Sequence, residues 1–191
     1  MAMIDDVITY LEMRERPSGP PPAAPLGKLA LMRVEGCTVS FYRYLYETVG
    51  TPWLWYERRL WHDDELAGEL AKATTEVFVL YVGGVPAGYF ELDAAPPQET
   101  ELRYFGLIPE FIGRRFGPFL LRAAIDRAWE RPIARLWVHT RRFDHPRALG
   151  HYQRAGFTVY ARRKLRFEDP RLAGILPRTL THPLLPPLPE P

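Results

Sequence analysis

Apolar side chains along this chain alternate between two spacings, and the changes of spacing mark its elements. Ile4 to Arg14 fits a strand or a short helix, because neither period dominates. Pro17 to Pro25 (PSGPPPAAP) is too proline-rich for regular structure and reads as an extended connector. A strand is predicted around Leu29–Val34. From Thr38 to Val49, residues Val39, Tyr42, Leu45 and Tyr46 recur at helical spacing, and Gly50-Thr51-Pro52 ends that helix. Trp53 to Lys72 also reads as helical. Glu76 to Val82 and Val85 to Leu92 are strands flanking Gly83-Gly84, a dipeptide suited to a tight hairpin. Beyond a proline-containing loop at Ala94–Gln98, Glu99 to Leu107 reads as a strand and Gly113 to Glu130 as a glycine-opened helix. Ala134 to Thr140 then reads as a strand, Pro146 to Ala155 as a helix and Phe157 to Phe167 as a last strand.

This order predicts an α/β fold with a mixed sheet. A doubly wound dinucleotide fold is excluded, because the glycine turn comes late and lacks G-x-G-x-x-G. At 191 residues the chain is expected to hold one domain, residues 1–175, followed by a Pro-rich tail at 176–191. From Pro177 onward that tail holds six prolines and no evident core, so it reads as a loose or surface-wrapped extension.

Composition narrows the function classes. Hydrophobic residues make up 47% and aromatics 13%, which excludes a disordered chain. A single cysteine, Cys37, excludes a disulfide scaffold and a cysteine-rich zinc site, and no metal is expected. Cys37 also lacks the histidine and aspartate context of an acyl-accepting nucleophile. The net charge of +2 with scattered arginines argues against nucleic acid. The longest uncharged run, Val77 to Phe90, is 14 residues and broken by Gly83, Gly84 and Pro86, too short to cross a bilayer. Acids rather than bases at the start, Met1 to Asp6, predict a cytoplasmic protein.

The informative stretch is LIPEFIGRRFGPFLL, Leu107 to Leu121. A strand runs into a turn with two glycines and two arginines, and a helix follows. Free N–H groups at such a helix start bind anions, phosphates above all. Glycine lets backbone approach a ligand closely, and Pro118 is tolerated in a first turn. The alternative is an ordinary strand–helix turn with solvated arginines. Downstream lies DHPRALGHYQRAGF, Asp144 to Phe157.

Together these segments resemble the GNAT superfamily of acyl-CoA-dependent N-acetyltransferases, over residues 76–160. The first is similar to that family's motif A, R/Q-x-x-G-x-G/A, with Gly117 at the last small position. Ile112 falls where Arg or Gln is usual and Arg115 where glycine is usual, while Gly113 and Arg114 fit a common local variant. The second is similar to motif B, N-x-x-A-x-x-x-Y-x-x-x-G-F, matched by Ala148, Tyr152, Gly156 and Phe157, with His145 where Asn is frequent. The resemblance implies a mostly antiparallel mixed sheet of about six to seven strands flanked by helices. It implies acetyl-CoA as co-substrate, with its pyrophosphate over Gly113, Arg114, Arg115, Phe116 and Gly117, its pantetheine beside Leu107 and Ile108, and His145 near it. The acceptor would be an amine of a small molecule or a peptide; a homodimer is possible.

Direct attack of an amine on a thioester sets what the site must contain. The amine must lose a proton, the thiolate leaving group (pKa about 8.5) gains from a donor, and the oxyanion needs a donor too. Glu99 and Glu101 share a strand face. Glu101 stands eight residues before Pro109, where histone-type members of the family place their base, and is the candidate base, directly or through water. Its alternative is a solvent-facing strand residue paired with Arg103 or with a charge on a neighbouring strand. Tyr152 matches the tyrosine held to protonate the departing sulfur; its alternative is a core aromatic. Asp144 before Pro146 reads as a helix N-cap. His139 is a candidate lining residue of the acceptor pocket or a structural histidine. Trp53, Trp55, Tyr56 and Trp61 form either an aromatic wall around the acceptor, with Trp53 and Tyr56 as candidate contacts, or packing onto the sheet. Arg162-Arg163-Lys164-Arg166 reads as a solvated face. A second reading is a non-catalytic acyl-CoA-binding or protein-interaction module with the same fold.

Overall fold

The computed structural model describes residues 3–188; the tail's last two prolines, Pro189 and Pro191, lie outside it. Seven strands form one sheet: β1 (Met3–Met13), β2 (Leu29–Arg33), β3 (Thr75–Val82), β4 (Val85–Asp93), β5 (Glu99–Leu107), β6 (Arg135–Arg141) and β7 (Thr158–Glu168). Their order across the sheet is β2-β3-β4-β5-β6-β1-β7. Every neighbouring pair is antiparallel except β5 and β6, which run parallel. Four helices flank the sheet: α1 (Val39–Gly50), α2 (Asp63–Leu70), α3 (Phe116–Ala128) and α4 (Ala148–Arg154).

The segment at Ile4–Arg14 is a strand, and its burial explains the mixed pattern. Ile4 and Asp6 are buried at its start, Thr9, Leu11 and Met13 at its end, so the buried face changes midway. Ile4 packs under the C-terminal segment, whereas Leu11 and Met13 pack with Leu120, Leu121 and Ile125 of α3. That second core also takes Phe90, Leu102, Leu136 and Val138 from the sheet. On the opposite face Tyr42, Leu45, Tyr46 and Val49 of α1 and Leu66 of α2 meet Val77, Val79 and Tyr89.

Three expected helices are shorter than their patterns. In Trp53–Lys72 only Asp63–Leu70 is α-helical, preceded by single 3-10 turns at Thr51–Trp53 and Glu57–Arg59. Leu54 adopts a left-handed φ of 59°, which breaks the helix, and the acids Asp63, Asp64 and Glu65 favour a fresh start at α2. α3 begins at Phe116 rather than Gly113, because Gly113 (φ 84°) and Arg115 (φ 66°) are left-handed. α4 begins at Ala148, so Asp144 is not its cap. The tail is wrapped, yet it does have a core: Leu176 is buried and Leu180 and Leu185 pack against Ile4, Leu54 and Phe143. Buried Arg171 pairs with Asp169 at 2.6 Å and donates to the carbonyls of Leu180 and Pro186.

A buried ion pair ties the α1–α2 layer to the sheet. Arg58 Nη2 lies 2.6 Å from Glu91 Oε1, with both side chains at 2% exposure or less. The Tyr42 hydroxyl donates to Glu91 Oε2 at 2.5 Å, and Arg58 stacks over Trp61 and Tyr104. Breaking such a pair on one side strands a buried charge, at a cost of about 3–5 kcal/mol. Arg58→Met and Glu91→Met are each expected to lose about that much, while the double variant regains most of it. Urea unfolding of the three variants checks this; simply additive losses would show that the two groups are not coupled.

Candidate functional site

β5 and β6 pair only from Glu99↔Arg135 to Leu102↔Val138, and then part. In the pairing of β5 with β4, Asp93↔Glu101 and Leu92↔Leu102 are followed by Glu91↔Tyr104, so Arg103 is an unpaired bulge residue. A cavity of about 500 Å³ fills the fork. β5 lines it from Glu101 to Leu107, and Val138, His139 and Arg141 line it from β6. Beyond the fork, β5 has a free edge that faces the cavity.

The cavity extends along β5 to the turn before α3. Gly113, Arg115, Gly117 and Pro118 line it there, with Leu107. The N–H groups of residues 113–117 donate to no protein atom among the described residues. A left-handed backbone at Gly113 and Arg115 produces this turn, a conformation that favours glycine. A Cβ built on Gly117 would sit 3.7 Å from the His151 ring, in ordinary contact.

α4 and the loop before it contribute Asp144, His145, Arg147, His151 and Tyr152. Tyr152 is buried, and burial together with the nearby Asp144 carboxylate pushes its phenol far above the ordinary value. The phenol therefore keeps its proton throughout the neutral range. Asp144 braces the loop. Its Oδ2 accepts from the Thr140 hydroxyl and the Arg141 N–H, both at 2.7 Å, and its Oδ1 accepts from Trp55 Nε1 at 3.2 Å. Arg141 is held in turn by Asp6 at 2.6 Å and by Glu57, and lies over the Tyr56 and Phe167 rings. At the fork, His139 Nδ1 is 3.3 Å from Glu101 Oε1.

Thus the structure gathers Glu101, Tyr152, Leu107, Gly113, Arg115, Gly117, His145, Trp53 and His139 around one cavity. It sets four expected residues apart. Ile108 is buried in the α1 core. Phe116 is buried in the α3 core, Arg114 stacks on Phe111 and Phe116, and Tyr56 stacks on Phe167. Trp55 of the expected aromatic cluster lines the cavity too, as do Glu57, Arg141 and His151, to which sequence reasoning assigned no role in it. The period-2 pattern carried one usable signal, since Arg141 lies two residues beyond His139 on the same face. No group of three or more His, Cys, Asp or Glu side chains that could hold a metal occurs among the described residues. No helix there is long and apolar enough to cross a membrane.

The model of the Acetyltransferase (GNAT) family matches residues 39–157, more than half of the chain, and the protein belongs to that family. No curated protein matches the sequence. Among solved structures, a GCN5-related N-acetyltransferase from Kribbella flavida superposes with a TM-score of 0.59 at 17% identity, over 90% of this chain and 62% of that one. The ribosomal-protein-S18-alanine N-acetyltransferase from Escherichia coli gives 0.54 at 18% identity, over 70% and 80%. An aminoglycoside acetyltransferase from an uncultured soil metagenomic sample gives 0.56 at 14%, over 67% and 87%. These are likenesses of fold. The chain spans about half to three fifths of the length of several such structures.

His145 and His151 carry a pH signature. Burial lowers both imidazoles, assisted by Arg147 at His145 and chiefly by Arg154 at His151. Below the ordinary imidazole value of about 6.5, the unfolded chain then binds more protons than the folded one. This contribution to stability is present above about pH 6.5 and is lost as pH falls toward the folded values. The His145→Gln, His151→Gln double variant should flatten the acid side of the stability curve. Urea midpoints measured across the acid and neutral range test this, and an unchanged slope contradicts neutral burial.

Proposed function

We propose that the protein transfers an acetyl group from acetyl-CoA to a primary amine carried by a small molecule or a peptide. Residues 1–175 form the transferase domain in this reading, with 176–191 as its tail. The fork between β5 and β6 carries the proposal: one cavity joins a free strand edge, a turn of unpartnered N–H groups and the side chains that acyl transfer requires. The structural neighbours include both a ribosomal-protein acetyltransferase and an aminoglycoside acetyltransferase.

The turn at 113–117 suits a pyrophosphate. Its N–H groups and the start of α3 present positive potential, and Arg115 adds a full charge. Pantetheine carries amide groups able to bond the free edge of β5 near Leu107, as an added strand does. The reacting carbonyl then lies toward the fork. There Glu101, at the mouth of the fork, is the carboxylate placed to serve removal of the amine's proton. Tyr152, which keeps its proton, donates a hydrogen bond to the sulfur as the C–S bond breaks and thereby lowers the barrier to departure. Unpaired N–H groups along β5 beyond the bulge are candidate donors to the oxyanion.

Two variants test the reading. Gly117→Glu has room for its Cβ but brings a carboxylate to the phosphate turn, so acetyl-CoA binding measured by calorimetry should weaken more than about tenfold. Unchanged affinity would remove the pyrophosphate from this turn. Tyr152→Phe keeps the ring and its contacts with Phe105 and Phe157. Its kcat is expected to fall about 10²-fold or more with the acetyl-CoA KM little changed. A rate within about threefold of the parent would leave Tyr152 a packing aromatic. A chain that binds acetyl-CoA yet releases no thiol with any amine would be the non-catalytic module instead.

A further inference from the structure

We infer that the acceptor amine passes its proton to His139, and that Glu101 acts through this imidazole as a positioning residue. The inference rests on the acetyl-transfer reading of the same cavity.

His139 occupies a particular place in the fork. Val138 is the last residue of β6 paired with β5, and His139 is the next, at the point where the cavity opens. Its ring lies opposite Tyr10 of β1, at a centroid distance of 6.0 Å, and 6.4 Å from Trp137. Nδ1 faces the Glu101 carboxylate at 3.3 Å. The Glu101 side chain is 13% exposed and that of His139 33%, so the imidazole reaches further into solvent than the carboxylate beside it. Neither ring nitrogen makes a hydrogen bond to protein among the described residues; Nδ1 is the one beside Glu101, which leaves Nε2 free to meet an incoming amine.

The other carboxylates of the cavity are already engaged. Asp144 accepts three hydrogen bonds, and Glu57 is paired with Arg141. The charged groups around His139 are Glu101 and Arg103 from β5, Arg141 two residues along β6, and Glu57 on the loop that holds Arg141; Tyr10 is the titratable neighbour on β1. Imidazole is also the better chemical match. A neutral imidazole nitrogen is a stronger proton acceptor than a carboxylate, and so the better partner for an amine proton. A carboxylate on Nδ1–H fixes the tautomer with Nε2 free and stabilises the imidazolium formed.

The balance closes without another reactant. The neutral amine nitrogen attacks the thioester carbon, a C–N bond forms, and the surplus N–H proton passes to His139 Nε2 and on to water. The C–S bond breaks with its electron pair on sulfur, and the thiolate gains a proton by way of the Tyr152 hydroxyl, which water restores. The products are an amide and a free thiol.

Two measurements test the pair. In the first, thiol release from acetyl-CoA is followed with tyramine, spermidine and an alanine-initiated peptide as acceptors. His139→Gln should lower kcat about 10²-fold or more, leave the acetyl-CoA KM within about threefold, and recover in part on addition of imidazole. Full activity in His139→Gln alongside inactive Glu101→Gln would overturn the proposal and make Glu101 the base itself. The second needs no acceptor. Nitrogen-15 spectra of the His139 ring should show the Nδ1–H tautomer in the parent and a shift toward the Nε2–H tautomer in Glu101→Gln. An Nε2–H tautomer in the parent, or one unaffected by Glu101→Gln, overturns the positioning role. If the parent acetylates none of the amines, the acetyl-transfer reading fails on its own, and the ring spectra still decide the pair.

Discussion

The separation of two parallel strands is the constraint from which the site follows. β5 and β6 share four paired positions and then diverge. A parallel pair that continued would consume the edge of β5 and leave no cavity. The bulge at Arg103 makes the divergence compatible with continued pairing of β5 to β4, because it adds a residue on one side only. After the bulge, Phe105 pairs with Phe90 toward α3, while Tyr104 pairs with Glu91 toward α1. One inserted residue thus resets which side chains face each layer.

The fork would be weak without support on both faces. On one face, α3 fills the space behind it with Leu120, Leu121 and Ile125. On the other, the Arg58–Glu91 pair and the Tyr42 hydroxyl fix the layer that carries Trp53, Trp55 and Glu57 to the cavity. Arg58 is a planar cation stacked between Trp61 and Tyr104, so the same group anchors a loop and backs a cavity wall. The C-terminal segment completes the wall from outside the matched family region. His182 stacks edge-on against Trp53 and Phe143, and Arg171 holds that segment by its carbonyls.

Six of the seven strands were legible in the sequence, because alternation and the Gly83-Gly84 turn are local signals, but their order across the sheet was not. β5 matches its expected bounds of Glu99 to Leu107. Legibility ended where backbone geometry, not hydrophobic period, decides the structure. Leu54 and Arg115 adopt left-handed conformations that nothing in their residue types announces, and each cuts an expected helix short. β1 was ambiguous because it buries opposite faces at its two ends. Within the site, the glycine turn was readable from its own residues, and Tyr152 from the resemblance to motif B. The engagement of Asp144 with Trp55 was not, since it joins residues 89 apart in sequence. Arg58 with Glu91 is a similar case, a long-range charge pair that reads in the sequence as two ordinary surface residues.

The position of β1 has a consequence for how the chain is made. Met3–Met13 is made well before its partners, since it pairs only with β6 and β7, at residues 135–141 and 158–168. Its two hydrogen-bonding edges and its buried residues Ile4 and Leu11 therefore wait for more than a hundred further residues. β2 to β5 pair in consecutive order and can assemble while β1 is still unpartnered. Pairing of such high sequence separation is slow, and an unpaired apolar strand invites association with other chains in the interval. Asp5, Asp6 and Glu12 interrupt the apolar positions of β1 with charge, the kind of interruption that disfavours such association. In the finished fold Asp6 and Glu12 then serve as partners for Arg141 and Arg135.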